Sequence, residues 1–244
     1  MNAPSATTAS SGPAARVLES ALACFLESGY ERTTVARICE RGGVSNGTLF
    51  HYFATKEAIA DALYLESIAD FQEGLRLLLA ERPRSLRSGV RGVIAHQIEW
   101  IEANTDRARF VYTRGTLDGD TPGGAQLSEM NRKLAASYQE WLQPFIEHGQ
   151  VRLMSMLVLN AIVTGPTHAI ARRWLAHQLS APLHAYLDEL ADAAVAALSG
   201  TPARARRAAP PARQGRIRLE LVSDEGTVIG RGSATAEILG IADP

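Results

Sequence analysis

The stretch that most constrains this chain is residues 33–56, TTVARICERGGVSNGTLFHYFATK. The hydroxyl pair Thr33-Thr34 suits a helix N-cap, where a side-chain oxygen accepts from a backbone N–H of the first turn. Val35 and Ile38 lie three apart and share one helical face. Cys39 is small and lets a second helix approach closely. Gly42-Gly43 ends the first helix, because glycine enters the left-handed region at little steric cost. Val44 plugs the turn, and Ser45 caps a second short helix over 46–53. Leu49 and Phe53, four apart, are expected to point inward. Asn46, Gly47, Thr48, Phe50, His51 and Tyr52 are left facing out. Two short helices joined by a glycine turn, the second polar at its start, predict a helix-turn-helix, a motif whose second helix enters the DNA major groove.

A helix is expected to precede this motif over 13–28, with Val17, Leu18, Ala21, Leu22 and Phe25 as its apolar stripe. With it, residues 16 to about 63 resemble the DNA-binding domain of the TetR family of bacterial repressors. Val44-Ser45, Gly47-Thr48-Leu49-Phe50, Tyr52-Phe53 and Lys56-Glu57 carry the resemblance, with Phe25, Gly29-Tyr30, Thr34-Val35 and Ile38 upstream. It implies DNA contacts from Ser45, Asn46, Gly47, Thr48, Phe50, His51 and Tyr52, and phosphate contacts from Thr33, Thr34, Arg37 and Lys56. An Asn side chain can hydrogen-bond adenine in the major groove. Gly47 permits close backbone approach, and Lys56 opens a helix, so its ammonium and the helix amides can share one phosphate. The chain departs from the family's usual pattern at Phe50, where a tyrosine is commoner, and at Cys39 and Gly42, where alanine is. The Phe50 change removes a hydroxyl that often bonds phosphate.

The next helix is predicted over 56–80, capped by Thr55. At that length it leaves a small N-terminal domain and enters the next one, linking the two mechanically. Helices are then expected over 86–103, over a shorter span from Asn104-Thr105-Asp106, over 126–148 and from Ala181-Pro182 to 198, with a Gly/Asp/Thr/Pro loop at 115–124. Pro144 is expected to kink its helix. Residues 150–177 are apolar nearly all round, which predicts a helix buried on every side. In the TetR resemblance these last two helices form a homodimer through a shared four-helix bundle. The fold class expected is therefore all-α: a three-helix N-terminal domain (13–56) and a helical ligand-binding and dimerisation domain of about six helices (57–199). A disordered tail (1–12), a basic Pro/Ala linker (200–215) and a C-terminal extension (216–244) complete the chain. In the extension Ile217, Leu219 and Leu221 alternate with polar residues at strand period, and Asp224-Glu225-Gly226 signals a turn, so a β-hairpin is expected there.

The formal net charge of −1 does not by itself favour a polyanion as partner. Cys24 and Cys39, the two cysteines, read as small core residues rather than a disulfide framework. The six histidines make no HExxH pair and no zinc spacing with the cysteines. No phosphate-binding glycine loop or nucleophile elbow is present. No catalytic residue, metal or cofactor is expected. With no long apolar run and no signal peptide, the expected location is the cytoplasm.

His96, Trp100, Tyr112, Trp141, Met154, Met156 and His168 are the candidate ligand-binding residues, on helices expected to enclose a cavity. They point to a small apolar or amphipathic effector, since such sites are mostly apolar with a few polar handles. The function expected is a ligand-responsive repressor that binds a double-stranded, pseudo-palindromic operator as a homodimer. The alternative is an architectural DNA-binding protein without a ligand.

Overall fold

The computed structural model describes residues 12–199, 213–222 and 228–238. The tail expected before residue 12, most of the linker expected over 200–215 and the turn expected at Asp224-Glu225-Gly226 lie outside the described residues. Residues 200 onward form a unit separate from the helical body, and each is described by itself.

The helical body holds α1 (Pro13–Ser28), α2 (Val35–Gly42), α3 (Asn46–Tyr52), α4 (Lys56–Ala80), α5 (Leu86–Ala103), α6 (Thr105–Arg114), α7 (Pro122–Glu147), α8 (Met156–Leu175) and α9 (Leu187–Ser199). A 3-10 turn, Leu183–Tyr186, leads into α9. The boundaries follow the caps. Thr34, Ser45, Thr55, Ser85, Thr121 and Ser155 each accept a backbone N–H from the first turn of the helix that follows.

Two differences from the sequence reading concern α7 and α8. The α7 helix begins at Pro122 rather than near 126, because Thr121 caps it and proline suits the first helical position. The apolar run from 150 is not one helix. Ser155 restarts the chain after an irregular segment, and α8 spans only Met156–Leu175. Nor is this region buried on every side. Leu153 is 86% exposed, Leu157 80% and Val158 47%, so the run is apolar all round while the body covers only part of it.

Two hydrophobic clusters fill the body. One gathers Val17, Ala21, Cys24, Ile38, Leu49, Ile59 and Leu63 from α1 to α4, and Phe110, Leu117 and Leu127 from the α6–α7 region join it. The other lies among α4, α5, α7, α8 and α9, around Ile94, Ile98, Leu142, Val163 and Leu198. The N-terminal helices are therefore packed against α6 and α7 rather than tethered by α4 alone. Cys24 and Cys39 are free and buried in the first cluster, as small core residues.

The separate C-terminal unit holds an antiparallel pair, β1 (Arg213–Val222) and β2 (Val228–Ile238). Arg213 is opposite Ile238 and Val222 opposite Val228, with a register irregularity between Leu221 and Val222. The first strand starts inside the stretch expected as linker, and the second is longer than the short Val228-Ile229 run suggested.

Candidate nucleic-acid interface and effector region

The α2–α3 unit is built by local bonds. Thr34 Oγ1 accepts from Arg37 N at 3.3 Å. Gly43 closes α2 at φ +58, the left-handed region, where its N–H and that of Val44 bond back to Glu40 O and Cys39 O. Ser45 Oγ accepts from Thr48 N at 3.0 Å and sits 2.9 Å from Thr48 Oγ1. Leu49 is fully buried and pins α3 to the core. Ser45, Asn46, Gly47, His51, Phe50 (53% exposed) and Tyr52 (47%) lie on the surface, and Thr48 is half-buried. A Cβ at Gly47 would meet only Ser45 Oγ, at 3.8 Å, so nothing inside the chain requires glycine there.

The expected phosphate contacts divide. Thr34 is exposed. Arg37 is exposed but tied to α1: its guanidinium donates to Ser28 Oγ at 2.7 Å and pairs with Glu27 at 3.2 Å. Glu27 also pairs with Arg41 at 2.6 Å. Lys56 Nζ donates to Tyr30 O at 2.8 Å and lies 4.2 Å from the Tyr30 ring centre. It therefore braces the α1–α2 loop while remaining half-exposed. Thr33 must be corrected. It is 1% exposed, and its hydroxyl is within bonding distance of Cys24 O and Gly29 O, so it locks the loop and its side chain cannot reach a phosphate.

The seven candidate ligand residues are not gathered around any one of three clefts in the body. His96 and Trp100 face α4: His96 Nε2 is 2.8 Å from Phe71 O, and Trp100 Nε1 donates to Asp70 at 2.8 Å. His96 packs where Gly74 has no side chain; a Cβ there would lie 2.2 Å from the imidazole. Trp141 fits against Gly89 in the same way, at 1.9 Å. Met154 and Met156 pack, half-buried, on the second cluster. Tyr112 and His168 form a third group, with Oη 2.5 Å from Nδ1. Burial pushes the Tyr112 hydroxyl up to about 12, against an opposing pull from Arg172. Crowding by protein atoms lowers the His168 pKa, although part of its ring reaches the surface, and the Arg172 charge lowers it further. Of the seven, only Trp141 borders any of three clefts in the body. Its cleft, about 470 Å³, also includes Pro83, Phe145 and His148. A second cleft, about 440 Å³, lies between Phe25 and Tyr30 on one side and Phe110 and Arg114 on the other. The third, about 680 Å³, lies between the starts of α4 and α7.

Gln97, Tyr138 and Thr167 are not among the residues expected at a site. All three are buried with side-chain polar atoms that find no hydrogen-bond partner. The available signal for Gln97 was its place inside the apolar stripe of its helix, where an amide has no packing advantage. Among the described residues, no group of three or more His, Cys, Asp or Glu is arranged to hold a metal ion, and no helix is long and apolar enough to cross a membrane.

Fold and site define a helix-turn-helix protein with a second, all-helical region packed behind it. Residues 17–63 match the family described as bacterial regulatory proteins, tetR family. The HTH-type transcriptional repressor AcnR of Corynebacterium diphtheriae is 34% identical over 99 residues, 40% of this chain and 49% of that repressor. The chain thus spans about half the length of that relative. The fatty acid degradation regulator FadR of Bacillus halodurans has a similar fold, with a TM-score of 0.63 at 16% identity over 80% of this chain and 96% of that one. So does FadR of Bacillus subtilis, solved in complex with stearoyl-CoA, with a TM-score of 0.63 at 17% identity over 75% and 98%. The match to the tetR family of bacterial regulatory proteins thus covers residues 17–63, and the helical body has the fold of these solved regulators.

Proposed function

We propose that this chain is a cytoplasmic, ligand-responsive transcriptional repressor that binds a pseudo-palindromic operator as a homodimer. The observation that carries the reading is the outer face of α3. Asn46, Gly47, His51 and the large rings of Phe50 and Tyr52 are held in water by one buried leucine and one serine cap. Aromatic side chains left exposed on a seven-residue helix cost hydrophobic burial, and the open space at Gly47 suits a backbone approaching a groove wall. In this reading Asn46 and Thr48 meet base edges. Ser45, Tyr52, Thr34 and Lys56 meet phosphates, while Arg37 does so only by leaving Glu27.

The division of labour follows the chain. Residues 13–56 bind DNA, and 57–199 carry the effector and the dimer contact. The uncovered leucines Leu153 and Leu157 support a second copy packing at α8 and α9, because exposed apolar patches mark association sites. The stearoyl-CoA seen in a protein of this fold supports an amphipathic effector. The test is a titration of the DNA upstream of the gene for this chain against random DNA. A preference of roughly 10³–10⁷ is expected of a specific regulator, and equal binding to both would replace this reading with the architectural one.

A further inference from the structure

The cleft of about 440 Å³ between α1 and α6 is walled by aromatic rings and bordered by an arginine with an unused donor. The Phe25 ring centre lies 5.4 Å from that of Tyr30 and 5.7 Å from that of Phe110, so the three rings form one continuous wall. Leu26 on α1 and Thr113 on α6 are its exposed members. Arg114 completes it. Its guanidinium donates to Asp61 through Nη2 and lies 5.7 Å from the Tyr30 ring centre. Its Nε is shielded from water and donates to nothing. The volume falls within the roughly 300–1,000 Å³ usual for small-molecule sites, which are mostly apolar with a few polar groups.

These features select a ligand chemistry. A shielded N–H without an acceptor carries an unrepaid desolvation cost, which a guest with an acceptor would remove. Charge decides which kind of acceptor. Burial raises the Tyr30 hydroxyl pKa, the Arg114 charge pulls against it, and Glu57, Glu31 and Asp61 add to the rise. Three carboxylates thus stand around Tyr30 against two cations, Arg114 and Lys56. An anionic guest would meet that excess, and a cationic one would be repelled by Arg114 and leave its donor unused. A flat, neutral aromatic body with an acceptor at one edge suits both the rings and the donor.

Position gives the site a consequence. Phe25, Leu26 and Tyr30 bracket Glu27 and Ser28, which hold Arg37 of α2, and Glu27 also holds Arg41. An occupant would therefore bear on α6 and on the end of α1 that anchors α2. Among the described residues, none of α5, α7 or α8 borders this cleft.

We propose that the α1–α6 cleft is a small-molecule site in addition to the effector's, that it takes a neutral, flat aromatic molecule whose carbonyl accepts from Arg114 Nε, and that its occupant changes operator affinity. The last part rests on the reading of the chain as an operator-binding regulator, and the site itself does not.

The experiment is titration calorimetry of the full-length protein with three probes: coumarin, a neutral aromatic lactone; naphthalene, which has no acceptor; and the anion coumarin-3-carboxylate. One coumarin per chain is expected, with each of the other two bound about tenfold more weakly, the low end of what a hydrogen bond to a charged group contributes. Arg114→Lys keeps a cation for Asp61 but lacks the Nε donor. It is expected to bring coumarin to the level of naphthalene and to leave naphthalene unchanged, a pattern that a merely structural role would not give. Leu26→Trp is expected to fill the cleft and abolish binding of both, and Thr113→Phe to do so from the opposite wall should the tryptophan variant not fold. Saturating coumarin is expected to change operator affinity roughly 5–150-fold, the usual range for coupled sites. No saturable coumarin binding, equal binding of coumarin and naphthalene, or undiminished binding in the filled variants overturns the site. Coumarin that binds as expected but leaves operator affinity unchanged overturns the coupling alone. A protein that binds no operator overturns the regulator reading, and calorimetry still decides the site.

Discussion

The ring of Phe110 on α6 stacks on the ring of Phe25 on α1, with centres 5.7 Å apart and planes 14° from parallel. One turn further along α6, Arg114 pairs with Asp61 on α4 and lies 5.7 Å from the Tyr30 ring centre. The same Tyr30 carries the Lys56 ammonium on its ring. Packed side chains thus connect α6 to the loop that positions the helix-turn-helix. These contacts tie α6, as well as α4, to the helix-turn-helix.

Phe110→Ala should test that connection. Truncating a ring that is 5% exposed costs roughly 3–5 kcal/mol, read as a lower urea midpoint. The milder Arg114→Gln should cost on the order of 1 kcal/mol, because the ion pair is partly solvated. It should leave ligand binding intact while reducing the ligand's effect on operator affinity. An unchanged effect in Arg114→Gln would mean that the signal travels by α4 alone.

Asn46→Ala and Lys56→Ala should fail differently. Loss of a base contact should relax preference at one base pair per half-site, by about 1–3 kcal/mol. Lys56→Ala should weaken binding to all sequences alike and flatten the salt dependence by about one unit. Because Lys56 also holds Tyr30 O, its variant should melt lower as well, which a purely DNA-facing lysine would not do. Sequence selection and salt titration on both variants decide this.

Leu157→Arg should prevent dimerisation without disturbing the fold, since the side chain is 80% exposed in the single chain. Ultracentrifugation should show monomers, far-ultraviolet dichroism should be unchanged, and operator binding should fall. A stable dimer carrying this arginine would place the contact elsewhere on the surface.

The pH dependence of stability should carry a His168 signature. Its folded pKa lies below the ordinary histidine value, through crowding by protein atoms around a partly exposed ring and then the Arg172 charge. The unfolded chain therefore binds the proton more readily, so this contribution is complete above about pH 6.5. It is lost as pH falls through that value toward the folded pKa. Melting between pH 7.5 and 5.5 should be less steep in His168→Gln than in the parent, and equal slopes would remove His168 from the account.

The helix-turn-helix was legible because its signals are local. A cap, a left-handed glycine and two inward residues fix α2 and α3 whatever surrounds them, and Thr34, Gly43, Ser45 and Leu49 took the positions their chemistry predicts. Thr33 was misread because two adjacent threonines look alike in sequence, and only the α1 carbonyls decide which one turns inward. The second hydrophobic cluster was less legible because it depends on pairings between distant helices. Gly74 with His96, and Gly89 with Trp141, convert would-be cavity walls into packed contacts. Neither partnership leaves a trace at helical spacing.

Selection of bound sequences from random DNA, run with the parent protein and with Asn46→Ala, tests operator recognition by α3. One enriched pseudo-palindrome is expected, with half-site centres about one helical turn or a multiple of it apart, and loss of preference at one symmetric position in the variant. Recovery of DNA with no enriched sequence from the parent protein would contradict it.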